Sequence, residues 1–218
     1  MFDSKPTFPA PPTEASFRGR GIASTDRSRF RNDQCVIETG DSVTGQLEIM
    51  EGLVIISRDL PDGSRQIVDF LEAGDFIEPG AIGRHRITAR AAGLVVVARH
   101  RGRTEDLAPH VMQQMLASAN RQLSRQSDHV TTLGAGSADS RLALAMIRFA
   151  GSLRDTGELP ISLPVSRQYL AEFAGLTTET VSRILSRWKA AGLVRAVTTR
   201  AFIIPDATAF DRLARAEA

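Results

Sequence analysis

A chain of 218 residues, 42% hydrophobic and 24% charged with a formal charge of +2, has the composition of a globular protein; at roughly 100–200 residues per domain it holds one large domain or two small ones. No run approaches the ~18 consecutive apolar residues of a membrane span, and the opening Met1-Phe2-Asp3-Ser4-Lys5-Pro6 lacks the basic-then-apolar order of a secretory signal. The single cysteine, Cys35, excludes an internal disulfide, a Cys-ligated zinc finger and an iron–sulfur cluster, which leaves the reading of a reduced, cytoplasmic protein.

Residues 1–20 hold four of the ten prolines and show no hydrophobic period, so they are expected to form a disordered arm. From 21 to 103 the signals are short strands between turns. Leu53-Val54-Ile55-Ile56-Ser57, the turn Pro61-Asp62-Gly63-Ser64 and the run 65–71 predict a β-hairpin. Leu94-Val95-Val96-Val97-Ala98 reads as a last buried strand, and Cys35, beside Val36 and Ile37, reads as a small core residue. Glycines 40, 45, 52, 63, 74, 80, 83 and 93 fall at intervals near strand length, which fits an antiparallel β-roll.

The period then changes. Across 104–134 apolar or small residues recur at Met112, Leu116, Ala119, Leu123, Val130 and Leu133, with Gln126 in the same register. Alternating spacings of four and three are those of a two-helix seam. The other faces carry Gln113, Asn120, Arg121, Arg125 and Asp128, so the apolar stripe is narrow and suits a homodimer better than a broad core contact. Gly134-Ala135-Gly136 ends this dimerisation helix, and Ser137, Asp139 or Ser140 is placed to cap the next one. Residues 159–163 read as a short strand stopped by Pro164.

The unit from 135 to 218 contains the segment that carries function. Ser166 caps a helix with Tyr169, Leu170 and Phe173 inward, and Gly175 ends it. Thr177 then caps a second helix with Val181, Ile184, Leu185 and Trp188 inward. Helix, short glycine turn, helix is a helix-turn-helix pattern, and the runs 193–197 and 201–204 around Arg200 form a wing. Between 165 and 200 the basic residues are Arg167, Arg183, Arg187, Lys189, Arg195 and Arg200 against Glu172 and Glu179, a local charge of +4 that points to an anionic partner. Elsewhere the arginine excess (25 of 27 basic residues) carries no assigned role.

On the second helix Glu179, Ser182 and Arg183 fall at i, i+3 and i+4, on one face near its start. An arginine there is suited to guanine O6 and N7, and a glutamate to the cytosine N4 amine. An exposed glutamate repels phosphate, so its presence in a basic helix points to base reading. Arg167, Thr178, Arg187 and Arg200 are the candidates for the DNA backbone.

The stretch 165–185, with its core Glu179-Thr180-Val181-Ser182-Arg183, strongly resembles the winged helix of the Crp/Fnr regulators, and its core resembles the FNR and FixK branch. Glu51-Gly52, Asp62-Gly63, Gln66-Ile67 and Gly74-Asp75-Phe76 resemble the family's roll, and the long helix falls where the family dimerises. The resemblance covers about residues 30–210. It implies an α+β protein: an N-terminal antiparallel β-roll of the cyclic-nucleotide-binding type, a long dimerisation helix and a C-terminal winged helix-turn-helix. It also implies a homodimer on an inverted repeat of the TTGAT…ATCAA type in double-stranded DNA, with RNA polymerase as a further partner and Ser182 on a thymine.

The roll departs from the family's nucleotide binders. Where they carry Gly-Glu-Leu/Ala and then Arg-Ser/Thr-Ala, this chain has Gly74-Asp75-Phe76-Ile77-Glu78-Pro79-Gly80 and Arg84-His85-Arg86-Ile87-Thr88-Ala89-Arg90. The FNR cluster needs four cysteines. No cyclic nucleotide, cluster or other cofactor is therefore expected, as in FixK-like members. The competing reading is a sensor whose roll binds an unidentified small molecule, with the cluster Arg84, Arg86 and Arg90 as one anion-binding option. An enzyme is not expected: histidines 85, 100, 110 and 129 include no His-x-His metal pair, and neither a nucleophile triad nor a phosphate loop is present.

Overall fold

A computed structural model describes residues 26–42, 45–78, 84–101, 106–134, 136–150 and 157–215. The arm expected over 1–20 lies outside the described residues, as do the ends of the expected roll at 21–25 and 102–103.

Six strands form an antiparallel sheet: β1 (Asp26–Phe30), β2 (Cys35–Ile37), β3 (Gln46–Asp59), β4 (Arg65–Glu72), β5 (Phe76–Ile77) and β6 (Thr88–His100). The long strands β3 and β6 pair from Gln46↔His100 to Ser57↔Thr88, and β3 pairs with β4 from Leu53↔Glu72 to Asp59↔Arg65, giving the expected hairpin. Both faces of β3 are covered from Leu53 to Ile56, which is why that segment is a continuous apolar run rather than an alternation. Val54 and Ile56 join Ile49, Leu71, Val95 and Val97 inside the roll, whereas Leu53 and Ile55 join Ile67 and Phe70 in a core shared with the C-terminal helices. At Gly52 (φ +90°) any Cβ would collide with the Leu94 carbonyl, so the kink in β3 requires glycine.

Two expectations for the roll are corrected. Leu94 is exposed, because Gly93 at φ +92° and the register shifts opposite Glu51 break the alternation just before it. Cys35 is exposed too: a register shift between Cys35 and Ile37 leaves only Ile37 in the core. The Cys35 thiol donates to the Ile37 carbonyl at 3.1 Å, and partial burial still pushes its pKa up.

Helix α1 (Pro109–Gly134) packs against β4 and β5. Val111 and Met115 pack on Phe76 and Leu107, but the next two turns are hydrogen-bonded. The Phe76 N–H donates to Ser118 Oγ at 2.9 Å, and Gln122 Nε2 donates to the Phe76 carbonyl at 2.8 Å, so α1 side chains satisfy the short strand β5. Arg125 bridges two buried carboxylates, with Nη2 2.8 Å from Asp75 and Nε 3.1 Å from Asp69. Arg121 adds a second contact to Asp75 at 2.9 Å. Burial raises the Asp69 pKa although the Arg125 charge opposes it. Arg121 and Arg125, on the polar faces that the sequence gives this helix, seat it on the protein, and the stripe Met112, Leu116, Leu123, Val130 and Leu133 faces outward, with Ala119 half-buried beside it.

The remaining elements form a winged-helix unit: α2 (Ala138–Ile147), β7 (Leu159–Ser162), α3 (Arg167–Ala174), α4 (Thr178–Ala190), β8 (Arg195–Ala196), β9 (Ala201–Ile204) and α5 (Ala207–Arg215). The three-stranded sheet runs β7-β9-β8, with Pro160 on an edge strand. Ser137 is the N-cap of α2, accepting from the Ser140 N–H at 3.0 Å. Helix α5 is an element that the sequence reading left unassigned; its signals are Asp206, which accepts from the Ala209 N–H at 2.9 Å, and the spacing of buried Phe210 and Ala214.

Arg125→Ala leaves Asp69 without its arginine and Asp75 with Arg121 alone. The full chain is expected to lose about 3 kcal/mol of stability in urea denaturation, the cost of breaking a buried ion pair on one side; a loss below about 1 kcal/mol would mean that water solvates the pair.

Candidate nucleic-acid interface

Helix α3 is built to sit still. Ser166 accepts from the Tyr169 N–H at 3.3 Å as N-cap, and Leu170, Ala171, Phe173 and Ala174 are buried. Its outer side is held by the roll: Arg65 makes a forked pair with Glu172, the closest contact at 2.8 Å, and the Tyr169 hydroxyl donates to Asp33 at 2.8 Å. Burial and that carboxylate together raise the Tyr169 pKa. Arg65 also lies over the Tyr169 ring, 5.4 Å from its centroid. The first helix of the motif is therefore docked on the roll, and the second is left to face outward.

Gly175 makes the turn at φ +61° and ψ +40°, the left-handed geometry that glycine adopts without strain. Thr177 caps α4 and accepts from the Thr180 N–H at 3.2 Å. Val181, Ile184, Leu185 and Trp188 form the buried stripe of α4, as their spacing predicts. Glu179 stands in the first turn, where the helix dipole favours a carboxylate, and Arg187 and Lys189 stand in the last, where it favours cations.

The expected base-reading group comes together on one side of α4: Glu179 and Arg183 are exposed and Ser182 is half-buried. Thr178 is exposed at the start of the same helix, and Arg167 is half-buried in the first turn of α3. Arg200 is exposed between β8 and β9, at the tip of a wing whose backbone is pinned by the Val197 N–H to Ala201 carbonyl bond at 2.8 Å. The wing strand β8 spans only two residues, shorter than the run 193–197.

Arg187 is occupied differently. Its guanidinium pairs with both oxygens of Asp139 from α2, which raises its pKa. The same carboxylate accepts from Trp188 Nε1 at 2.8 Å. Asp139 thus fixes α4 against α2 through two consecutive residues. The sequence reading noticed it only as a possible cap; the missing signal is the 48-residue separation from Arg187, which no local pattern spans.

In the roll, Glu78 sits at φ +43° and pairs with His85 at 2.6 Å, while His100 pairs with Glu48 at 2.7 Å. Arg84 donates to the Gly40 carbonyl and Arg90 to the Asp33 carbonyl, each at 3.2 Å, so two arginines of the optional anion-binding cluster bond to separate loops. Among the described residues no group of His, Cys, Asp and Glu is arranged to hold a metal, and no helix is long and apolar enough to cross a membrane.

Residues 140–213 match the Crp-like helix-turn-helix domain and residues 27–103 the cyclic nucleotide-binding domain. The chain is 33% identical over 175 residues to the nitrogen fixation regulation protein FixK of Bradyrhizobium diazoefficiens, covering 77% of this chain and 73% of that protein. It is 33% identical over 185 residues to the transcriptional activatory protein AadR of Rhodopseudomonas palustris, covering 82% of this chain and 76% of that one. Among solved structures, FixK2 from Bradyrhizobium japonicum superposes with a TM-score of 0.75 at 26% identity, covering 89% of this chain and all of that one.

Asp139→Ala leaves the indole N–H of Trp188, 1% exposed, without its acceptor. The expected loss is about 1–3 kcal/mol in urea denaturation followed by tryptophan fluorescence, the cost of an orphaned buried donor.

Proposed function

Because the chain belongs to the Crp/Fnr family of transcriptional regulators, we propose that it acts as a homodimer whose two α4 helices read an inverted repeat of the TTGAT…ATCAA type. The observation that carries this reading is the exposed face of α4, where Glu179, Ser182 and Arg183 stand just beyond the N-cap. Arg183 supplies two parallel N–H donors for guanine O6 and N7, Glu179 accepts from cytosine N4, and Ser182 meets a thymine. Arg167, Thr178 and Arg200 flank that face and neutralise phosphates, which sets the register without reading sequence. Arg187 joins them only by giving up Asp139.

The dimer seam is the outward stripe of α1. Leu116, Leu123 and Val130 are 63%, 68% and 69% exposed, a row of large apolar side chains that water solvates poorly and a second copy covers. Pairing there sets two α4 helices about one DNA turn, ~34 Å, apart. The dimer works without a cyclic nucleotide or an iron–sulfur cluster: Glu78 is engaged by His85, and one cysteine cannot supply four cluster ligands. Its business is regulation rather than enzymatic turnover. It acts in the cytoplasm and contacts RNA polymerase when bound beside a promoter.

Fluorescence-anisotropy titration of wild type and Arg183→Ala on the inverted repeat and on a scrambled duplex tests the base reading. The expected loss is about 1–3 kcal/mol on the repeat and little on the scrambled duplex. Equal losses on both would overturn it. For the seam, Leu116→Asp with Leu123→Asp is expected to sediment as a monomer with an unchanged circular dichroism spectrum and to lose affinity for the full repeat. A variant that stays dimeric would place the interface elsewhere.

A further inference from the structure

The exposed row on α1 holds one residue that is foreign to a hydrophobic seam. Leu116, Leu123 and Val130 stand out from the helix, and Gln126 stands between the last two in the same spacing of four and three. It is exposed, and its amide forms no hydrogen bond with any described residue. Covering it with hydrocarbon in a dimer would orphan both the donor and the acceptor of that amide, which is destabilising. The residue therefore either weakens the seam or finds its partner within it.

In two-stranded helical seams, alignment is set by charges flanking the row or by one polar residue inside it. The first device is missing here. Gln113, Asn120 and Ser127 flank the row on its open side and are exposed but uncharged, so they form no ion pairs across an interface. On the other side Met115, Gln122 and His129 are buried against the chain's own Phe76 and Phe173. Direction follows from the ends of the helix. Its 26 residues rise about 39 Å, and the winged-helix unit follows its C-terminal end. An antiparallel pair holds the two α4 helices at opposite ends, whereas a parallel pair brings both to one end.

We propose that Gln126 is the residue that aligns the homodimer, its side-chain amide hydrogen-bonded to Gln126 of the partner subunit. A two-fold axis running along a parallel pair makes each seam residue meet its own copy, so each amide donates to the other's carbonyl. A slip of one heptad sets Gln126 against Ala119 and Leu133, which offer its amide nothing. The same pairing selects a second copy of this chain over one that carries an apolar residue there. The inference rests on the seam read above and adds what fixes its alignment.

Charge exchange in the full chain tests the pairing. Gln126→Glu and Gln126→Lys each set like charges face to face only in the aligned dimer. Each is expected to weaken self-association by about tenfold or more in sedimentation velocity. An equimolar mixture of the two is expected to recover association close to that of wild type. In a Cys35→Ser background, Gln126→Cys is expected to give a disulfide-linked dimer on mild oxidation and Ser124→Cys, turned away from the row, to stay unlinked. A disulfide needs Cα atoms roughly 4.4–6.8 Å apart, and only facing seam residues approach that closely. Unweakened single variants, no recovery in the mixture, or no cross-link at Gln126→Cys overturns the inference, and the seam itself stands if Leu116→Asp with Leu123→Asp is monomeric. If that double variant stays dimeric, the seam fails and the inference falls with it.

Discussion

Arg125 sits between Asp69 and Asp75, and the placement of the long helix depends on that bridge. A hydrocarbon contact tolerates a helix turned by some tens of degrees, because dispersion and burial are not directional. Charged hydrogen bonds are, and leaving a buried carboxylate unpaired is costly. Ser118, Gln122 and Arg125 are therefore satisfied in one rotation of α1, with β5 and its neighbouring aspartate as their partners. That rotation spends the polar side of the helix on the protein and leaves Leu116, Leu123 and Val130 outside. Beyond the buried Val111 and Met115, polar side chains face the protein and a row of large apolar ones faces outward, which makes the helix a candidate seam.

The second constraint lies where the roll meets the winged-helix unit. Phe70 of β4 packs against Phe149 and Phe173 at 5.0 and 4.9 Å, and His129 of α1 stacks on Phe173. Around this aromatic centre Arg65 and Asp33 grip α3 by its Glu172 and Tyr169. The roll thereby holds the helix that does not face outward, and the short turn at Gly175 transmits that placement to α4. Asp139 completes the arrangement from the other side, tying the end of α4 to α2. The Glu179, Ser182 and Arg183 face is free because every neighbouring contact is made elsewhere.

The legible parts of this fold were those decided within a few turns of chain. Helix α4 could be read in detail, cap, buried stripe and exposed stripe together, because the 3.6-residue period and the Thr177 cap act locally. The β3–β4 hairpin was equally open, its turn written in Asp62-Gly63. Misreadings cluster where a residue's fate is set by a distant partner. Leu94 and Cys35 were assigned to the core from their neighbours, but glycine kinks and register shifts in strands paired across the sheet turned them out. The partners of Arg121 and Arg125 were not legible either, because Asp69 and Asp75 lie some fifty residues away. Arg187, read as a candidate for the DNA backbone, is paired with Asp139 at a separation that no local pattern spans.

By itself the sequence determined the order of β-roll, long helix and winged helix-turn-helix, though not the terminal helix α5, and the shared face of Glu179, Ser182 and Arg183 on α4, since periodicity, caps and turn chemistry are properties of neighbouring residues. The narrow apolar stripe of α1 was also visible in it. Only the tertiary structure decided which side of α1 faces the protein and which arginines are already engaged. The physical reason is that burial and charge pairing depend on distance in space, and a chain of one dimension does not carry those distances.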